Sequence, residues 1–269
     1  MPNTIHKITV IFDRQRFQAA LDRFSDLQAT PKITIYIYDT IPSTNQKIWE
    51  SIDLGDTLPI GAIACQQTAG RGQWGRQWQS LPGGLYLSVG IATEIEPNCA
   101  NHLTIATATE IARSLRKQGI PVLLKWPNDL ILEGKKLGGI KIETRIQQEK
   151  IRRAVIGVGI NWDNIVPKVG INLKSHSSAI PSLEILAAIT VTAILTGYQN
   201  YLDFGIEQIL PSYLKILDSI GRSVTIDRSP GKIIGVNENG QLQVSLFSPG
   251  ATTEILVQPG QISLGYGEA

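Results

Sequence analysis

A chain of 269 residues, 42% hydrophobic and 18% charged, has room for one large domain and a small one, and its balance excludes an intrinsically disordered protein. A formal net charge of +2, without a basic stripe interleaved with aromatics, excludes a nucleic-acid coat. Two distant cysteines, Cys65 and Cys99, exclude a disulfide scaffold or cysteine zinc site and read as reduced thiols of a cytoplasmic protein.

Met1–Arg16 has no signal-peptide core. The helical pattern of residues 1–30 is Phe17, Leu21 and Phe24, stopping before Pro31, an arm too short for a helix-turn-helix domain. Ile33 to Tyr38 alternates as a strand. Ser43-Thr44-Asn45 offers N-cap chemistry to a helix reaching Leu54, with Gly55 as its C-cap. Pro59 to Cys65 reads as a buried strand, and residues 68–83, rich in Gly, Arg and Gln, as a long functional loop. Leu85–Ile91 is a strand, Asn98–Lys117 a helix stopped by Gly119, and Val122–Trp126 a strand. Leu130 to Leu132, a turn at Glu133-Gly134 and Leu137–Glu143 form a hairpin, and a second turn at Gln147-Gln148 leads into Val155–Ile160.

After Pro181 come two helices, 182–203 and 205–219. The longest apolar stretch, Ile185–Leu195, is too short to span a bilayer, which needs roughly 20 residues, so no membrane partner is expected. From Arg222 the pattern turns to short β runs (Val224–Ile226, Lys232–Val236, Leu242–Leu246, Glu254–Val257), with turns at Asn239-Gly240 and Pro249-Gly250. The expected organisation is an arm at 1–30, a mixed α/β sheet domain at 31–220 and a small barrel-like β module at 221–269.

Chemistry concentrates in three places. In Gly70-Arg71-Gly72-Gln73-Trp74-Gly75-Arg76-Gln77-Trp78 the glycines let backbone approach a ligand and the arginines can neutralise phosphate or carboxylate oxygens, although a flexible basic loop reads equally well. In Lys125-Trp126-Pro127-Asn128-Asp129, Asn128 and Asp129 place two oxygen ligands side by side, which suits Mg²⁺; the bland alternative is a β-turn. In Lys136-Leu137-Gly138-Gly139-Ile140 the paired glycines point to a ligand or another backbone lying flat on the strand, or else to a bulge in a hairpin. Ser43-Thr44-Asn45 adds hydroxyl and amide groups suited to a small polar ring, or simply to a helix cap.

In their order and separations these three blocks resemble the signature set of biotin–protein ligases, and Gly157-Val158-Gly159-Ile160-Asn161 resembles a further strand of that family. The likeness runs from Tyr38 to Asn161 and continues more weakly through the C-terminal β module. It implies an α/β (α+β) fold, a class II synthetase-like catalytic domain built on a mixed β-sheet flanked by helices, with a small C-terminal SH3-like β-barrel. It also implies an activity: ATP activates biotin to biotinyl-5′-AMP, and biotin then passes to a lysine of the biotin carboxyl carrier domain of acetyl-CoA carboxylase. Dual-function members carry a winged helix ahead of the catalytic domain. Here the arm has no such pattern, so the monofunctional type is expected and DNA is not a partner.

The same resemblance assigns roles. Arg71, Lys125 and Lys136 would be catalytic. Ser43, Thr44, Asn45 and Gln67 would line the ureido-ring pocket, and Arg71, Gly72, Gln73, Lys136, Gly138 and Gly139 would complete the biotin site. ATP would meet Arg71, Arg76, Trp78, Asn128, Asp129, Lys136 and Asn161, with Asp129 and Asn128 holding Mg²⁺. Trp74 or Trp78 would shield the adenylate from water. Many family members carry arginine at the position of Gln73, so a weaker hold on the adenylate phosphate is expected here. Members occur as monomers and as homodimers joined at a sheet edge, and the hairpins at 130–160 suit either state. The competing readings are a lipoate–protein ligase and a non-catalytic binding module with a vestigial adenylate site.

Overall fold

The computed structural model describes residues 12–24, 32–248 and 250–266. Pro31, Pro249 and the first eleven residues of the expected arm lie outside the described residues. Helix α1 (Arg14–Phe24) carries the expected Phe17 pattern: Phe17 and Ala20 are buried against the core. Asp13 starts it, its carboxylate accepting the backbone N–H groups of Gln15 (2.9 Å) and Arg16 (3.0 Å).

Strand β1 (Thr34–Ile41), helix α2 (Thr44–Asp53) and the parallel strand β2 (Ile60–Gln67) form a crossover unit. Then follow β3 (Leu85–Ile95), α3 (Ala100–Lys117), β4 (Leu123–Lys125), β5 (Asp129–Leu132), β6 (Lys135–Gln147) and β7 (Lys150–Ile160). The seven strands make one mixed sheet in the order β1-β2-β3-β7-β6-β5-β4, antiparallel apart from the β1–β2 pair. A short helix α4 (Leu173–His176) and the long α5 (Leu183–Lys215) lead to an antiparallel sheet of β8 (Ser223–Ile226), β9 (Ser229–Val236), β10 (Leu242–Ser248) and β11 (Ala251–Val257). This is the α/β class expected, a mixed sheet flanked by helices with a smaller β module after it.

Several elements depart from the sequence expectation. Ser43 sits at the N-cap of α2 with extended backbone but makes no side-chain cap bond. The turn between β6 and β7 falls at Gln148 and Glu149, both at positive φ, one residue later than expected. α4 was not anticipated, and α5 stops at Lys215 rather than 219. The expected break between the two C-terminal helices is real: Gly205, at φ +73°, kinks α5 there. By length and composition alone α5 is apolar enough to cross a membrane. The structure gives that composition another use, because Leu186, Val191, Ile194 and their neighbours are buried in the core cluster shared with α3.

The two faces of the large sheet are chemically different, and strand register shows it. On one face Leu85, Leu87, Val89, Ile91, Ile156 and Ile160 belong to the main apolar core with α3 and α5. On the other, small residues cluster, with Ala62 opposite Ser88 and Ser88 opposite Gly157, and Lys141 stands across from Gly157. Gly159 lies opposite Gly139, and Gly139 opposite Asp129. α2 covers the end of this face through Ile48, packed against Ile60, Ala62 and Val155, and the rest of the face is left open.

The second sheet is tied to the first by a buried bond. Trp126, 3% exposed, donates its indole N–H to the Gly240 carbonyl at 2.9 Å. Replacing Trp126 with Phe strands that buried carbonyl and leaves part of the indole's space unfilled, so a loss of at least about 1–3 kcal/mol in urea unfolding is expected. An unchanged midpoint would show that this bond does not couple the two sheets.

Candidate functional site

The open face becomes the floor of a cleft. Its first wall is the glycine–arginine loop, which folds as a miniature hairpin. Gly72 N–H donates to Arg76 O (2.6 Å), Trp78 N–H to Gly70 O (3.0 Å) and Arg76 N–H to Gln73 O (3.1 Å). Trp74 and Gly75 turn it, both at positive φ (52° and 73°), the geometry of a tight hairpin turn. The hairpin lays the Trp78 indole on the sheet: a Cβ at Gly159 would meet that ring at 2.6 Å, and one at Gly139 at 3.4 Å. The object lying flat on the glycine strand is therefore an aromatic side chain of the same protein.

The second wall comes from the hairpin of β5 and β6. Asp129 faces Gly139 across the pair, and Lys136 sits three residues before Gly139, which regular alternation would send to the opposite face. A register shift between Leu130 and Ile131 leaves Leu137 as an extra residue, and that bulge brings Lys136 back beside Asp129. Lys136 Nζ then lies 2.6 Å from Asp129 Oδ1, an ion pair whose alignment falls short of a hydrogen bond. The Lys136 backbone is held on its other side, donating to Val169 O (2.9 Å) and accepting from Ile171 N–H (3.0 Å).

The floor ends in a polar pocket under α2. Gln67 Oε1 accepts the Thr44 backbone N–H at 2.8 Å, Gln67 Nε2 donates to Ser80 Oγ at 2.8 Å, and Ser88 Oγ lies 2.7 Å from Thr44 Oγ1 and 2.6 Å from Asn45 Oδ1. Ser43, Thr44 and Asn45 are each at most 5% exposed, and Asn45 Nδ2 is buried with no partner. Ser88 carried no signal in the sequence, since a lone serine in an apolar strand has no motif. Its register opposite Gly157 places it in this pocket.

A third wall comes from beyond β11. Ile262, Ser263, Leu264 and Tyr266 line the cleft. The Tyr266 hydroxyl donates to Asp129 Oδ2, and its ring centroid lies 3.4 Å from Lys125 Nζ. Burial and the Asp129 carboxylate hold the Tyr266 phenol firmly protonated. The cleft is otherwise cationic, with Arg71, Arg76, Lys125, Lys136 and Lys141 around a lone lining carboxylate among the described residues, Asp129. Burial lowers the Lys125 pKa to about 8; Asp129 opposes that shift, while Lys136, Arg222 and Arg76 add to it. A polar pocket beside a cationic cleft suits a small polar ring joined to a phosphate-bearing group.

A family model described as the biotin/lipoate A/B protein ligase family matches residues 37–161. Over 256 residues the chain is 30% identical to the bifunctional ligase/repressor BirA of Escherichia coli, spanning 87% of this chain and 75% of that protein. The chain belongs to the biotin/lipoate A/B protein ligase family. It is also 25% identical over 254 residues to the human protein named biotin–protein ligase, covering 87% of this chain and 35% of that one. Its fold matches a biotin protein ligase from Aquifex aeolicus, solved in complex with biotin and ATP, with a TM-score of 0.67 at 21% identity, over 83% of this chain and 95% of that one.

Within this ligase family fold, most of the expected site residues converge on the one cleft. Ser43, Thr44, Asn45, Gln67, Arg71, Gly72, Gln73, Arg76, Trp78, Lys125, Asn128, Asp129, Lys136 and Gly139 all line it. Gly138 and Asn161 do not. A Cβ at Gly138 would strike Gly159 O at 2.7 Å, so this glycine serves strand packing. Asn161, 6% exposed, donates its amide to Lys136 O at 3.3 Å and steadies that lysine from behind. Gln73 donates to Ile140 O at 3.2 Å. Trp74 lines the cleft and packs on Gly260, whose Cβ would meet its indole Nε1 at 2.5 Å. Tyr266 and Lys141 were missed: no local pattern ties a C-terminal tyrosine to a strand more than a hundred residues earlier.

With its pKa lowered by burial to about 8, Lys125 takes up protons near that pH when a phosphate dianion arrives. AMP, whose phosphate is a dianion across this range, is therefore expected to bind with proton uptake near pH 8 and to weaken as pH rises through that value. Calorimetry in buffers of different ionisation enthalpy measures the uptake, and in Lys125→Met it should vanish. Equal uptake in both proteins would remove Lys125 from phosphate binding.

Proposed function

We propose that this protein is a biotin–protein ligase that converts biotin and ATP to biotinyl-5′-AMP and pyrophosphate, then biotinylates a lysine of a carrier domain. The observation that carries the reading is the junction of the polar Thr44–Asn45–Gln67–Ser88 pocket with the Lys136–Asp129 pair in one cationic cleft. Biotin's ureido ring sits in the polar pocket and its carboxylate reaches Lys136 and the Arg71–Gly72 backbone. ATP lies along Arg76, Trp78, Asn128 and Asp129.

The first step joins two anions, so cations must offset their repulsion as the carboxylate oxygen attacks the α-phosphorus and pyrophosphate departs. Arg71 and Lys136 bear that charge at the reacting oxygens, and Lys125 at the phosphate. In the second step the carrier lysine, as a free amine, attacks the carbonyl carbon of the anhydride and AMP leaves. The Trp78 ring limits water access to the adenylate between the steps. Asp129, with the Asn128 carbonyl beside it, suits a Mg²⁺ ion carried in mainly by phosphates and water, since Mg²⁺ needs only one or two protein carboxylates. Such an ion would shield the triphosphate charge. The acceptor in this reading is a biotin carboxyl carrier domain, and the setting is the cytoplasm.

ATP–pyrophosphate exchange with biotin and, in parallel, with lipoate tests the reading, followed by the mass of an added carrier domain. Biotin-dependent exchange and a mass gain of one biotin are the expected results. Exchange driven by lipoate would replace the substrate, and none with either would remove the activity. Lys136→Ala should lower exchange by ~100-fold or more, mainly in kcat. Tyr266→Phe frees Asp129 of one hydrogen bond, so MgATP should bind roughly 2- to 10-fold more tightly to it, a change read by calorimetry. Weaker binding would mean that the hydroxyl contributes to the nucleotide site.

A further inference from the structure

The polar pocket has a definite hydrogen count. The Ser88 hydroxyl has one proton, yet it lies within bonding distance of both Thr44 Oγ1 (2.7 Å) and Asn45 Oδ1 (2.6 Å). The Thr44 hydroxyl lies 2.7 Å from Ser88 but 3.1 Å from Gln67 Oε1, and O–H···O bonds seldom exceed about 3.0 Å. The Gln67 oxygen is already served by the Thr44 backbone N–H at 2.8 Å. With the Asn45 oxygen turned to Ser88, both short bonds form together when Thr44 donates to Ser88 and Ser88 donates to the Asn45 oxygen.

That chain fixes the Asn45 amide with its oxygen turned to Ser88 and its Nδ2–H₂ left over. Nδ2 is buried and without partner, and Asn45 lines the cleft. Gly157 underlies the amide: any Cβ there would collide with it, so a residue without a side chain makes the room. Burying an unpaired donor costs about 1–3 kcal/mol, a cost that a ligand acceptor at this point removes.

We propose that Ser88 is a positioning residue that sets the polarity of the Asn45 amide, so that the pocket offers a donor to the ureido carbonyl oxygen and selects a cyclic urea over its imino analogue. The inference rests on the biotin reading above and adds to it the element of recognition and the residue behind it. Ser88 itself stays beneath Thr44 and Asn45, fully buried.

The test compares biotin with 2-iminobiotin, a guanidinium at neutral pH that carries a donor where biotin carries its carbonyl acceptor. In pyrophosphate exchange the wild-type protein should prefer biotin by ~100-fold or more in kcat/KM. In Ser88→Ala the amide is free to turn, and the preference should fall by about tenfold, through a higher KM for biotin with kcat held. Ser88→Thr keeps the hydroxyl and should restore the ratio. Asn45→Asp, which replaces the donor by an acceptor and leaves Ser88 in place, should move the ratio furthest towards 2-iminobiotin. A purely structural serine would weaken both substrates equally, so an unchanged ratio in Ser88→Ala overturns the proposal. Should Ser88→Ala fail to fold, a wild-type ratio in Asn45→Asp overturns it as well. Wild-type exchange with an unmoved ratio removes this inference alone, whereas a wild-type protein inactive with biotin removes the biotin reading with it.

Discussion

The structure depends on a seven-stranded sheet that carries the main apolar core on one side and a run of small residues on the other. A sheet buried on both faces needs large side chains on both. Here Ser88, Gly157, Gly159 and Gly139 leave the second face too thin to be filled by its own residues. The space is taken by side chains brought from elsewhere: the Asn45 amide over Gly157 and the Trp78 indole over Gly159. Part of the core is thereby exchanged for a cleft, and the dense layer formed with α3 and α5 on the opposite face must supply the stability that this one forgoes.

Charge is the second constraint. A concave site that gathers Arg71, Arg76, Lys125, Lys136 and Lys141 would repel itself without compensation. That compensation comes from within the protein: Asp129 pairs with Lys136 and Tyr266, the Tyr266 ring covers Lys125, and Lys141 pairs with Glu143 at 3.2 Å. Tyr266 lies beyond the second sheet, which the Trp126–Gly240 bond ties to the first.

Much of this was legible in advance. Alternation marked β1, helical spacing marked α3, and Gly205 marked the break in α5, because these signals arise from neighbours in the chain and need no tertiary context. Fourteen of the residues expected at the site line the one cleft. Other motif residues have neighbours within the protein. Gly138 lies tight against Gly159, Asn161 bonds the Lys136 carbonyl, Trp74 lines the cleft while packing on Gly260, and Ser43 stands at a helix cap without a side-chain cap bond. A motif records that a residue type is needed and leaves open which neighbour needs it.

By itself the sequence determined most element types, the mixed α/β class and where its charged and glycine-rich blocks fall, since propensity, turn preference and side-chain charge are properties of short stretches. Tertiary structure decided three other matters. The extra residue at Leu137 determined which face Lys136 occupies, because in a strand one inserted residue reverses every side chain before it. The register of β3 on β7 determined that Ser88 lies beneath Asn45. The packing of the second sheet determined that Tyr266 meets Asp129, a contact across 137 positions that no local pattern encodes.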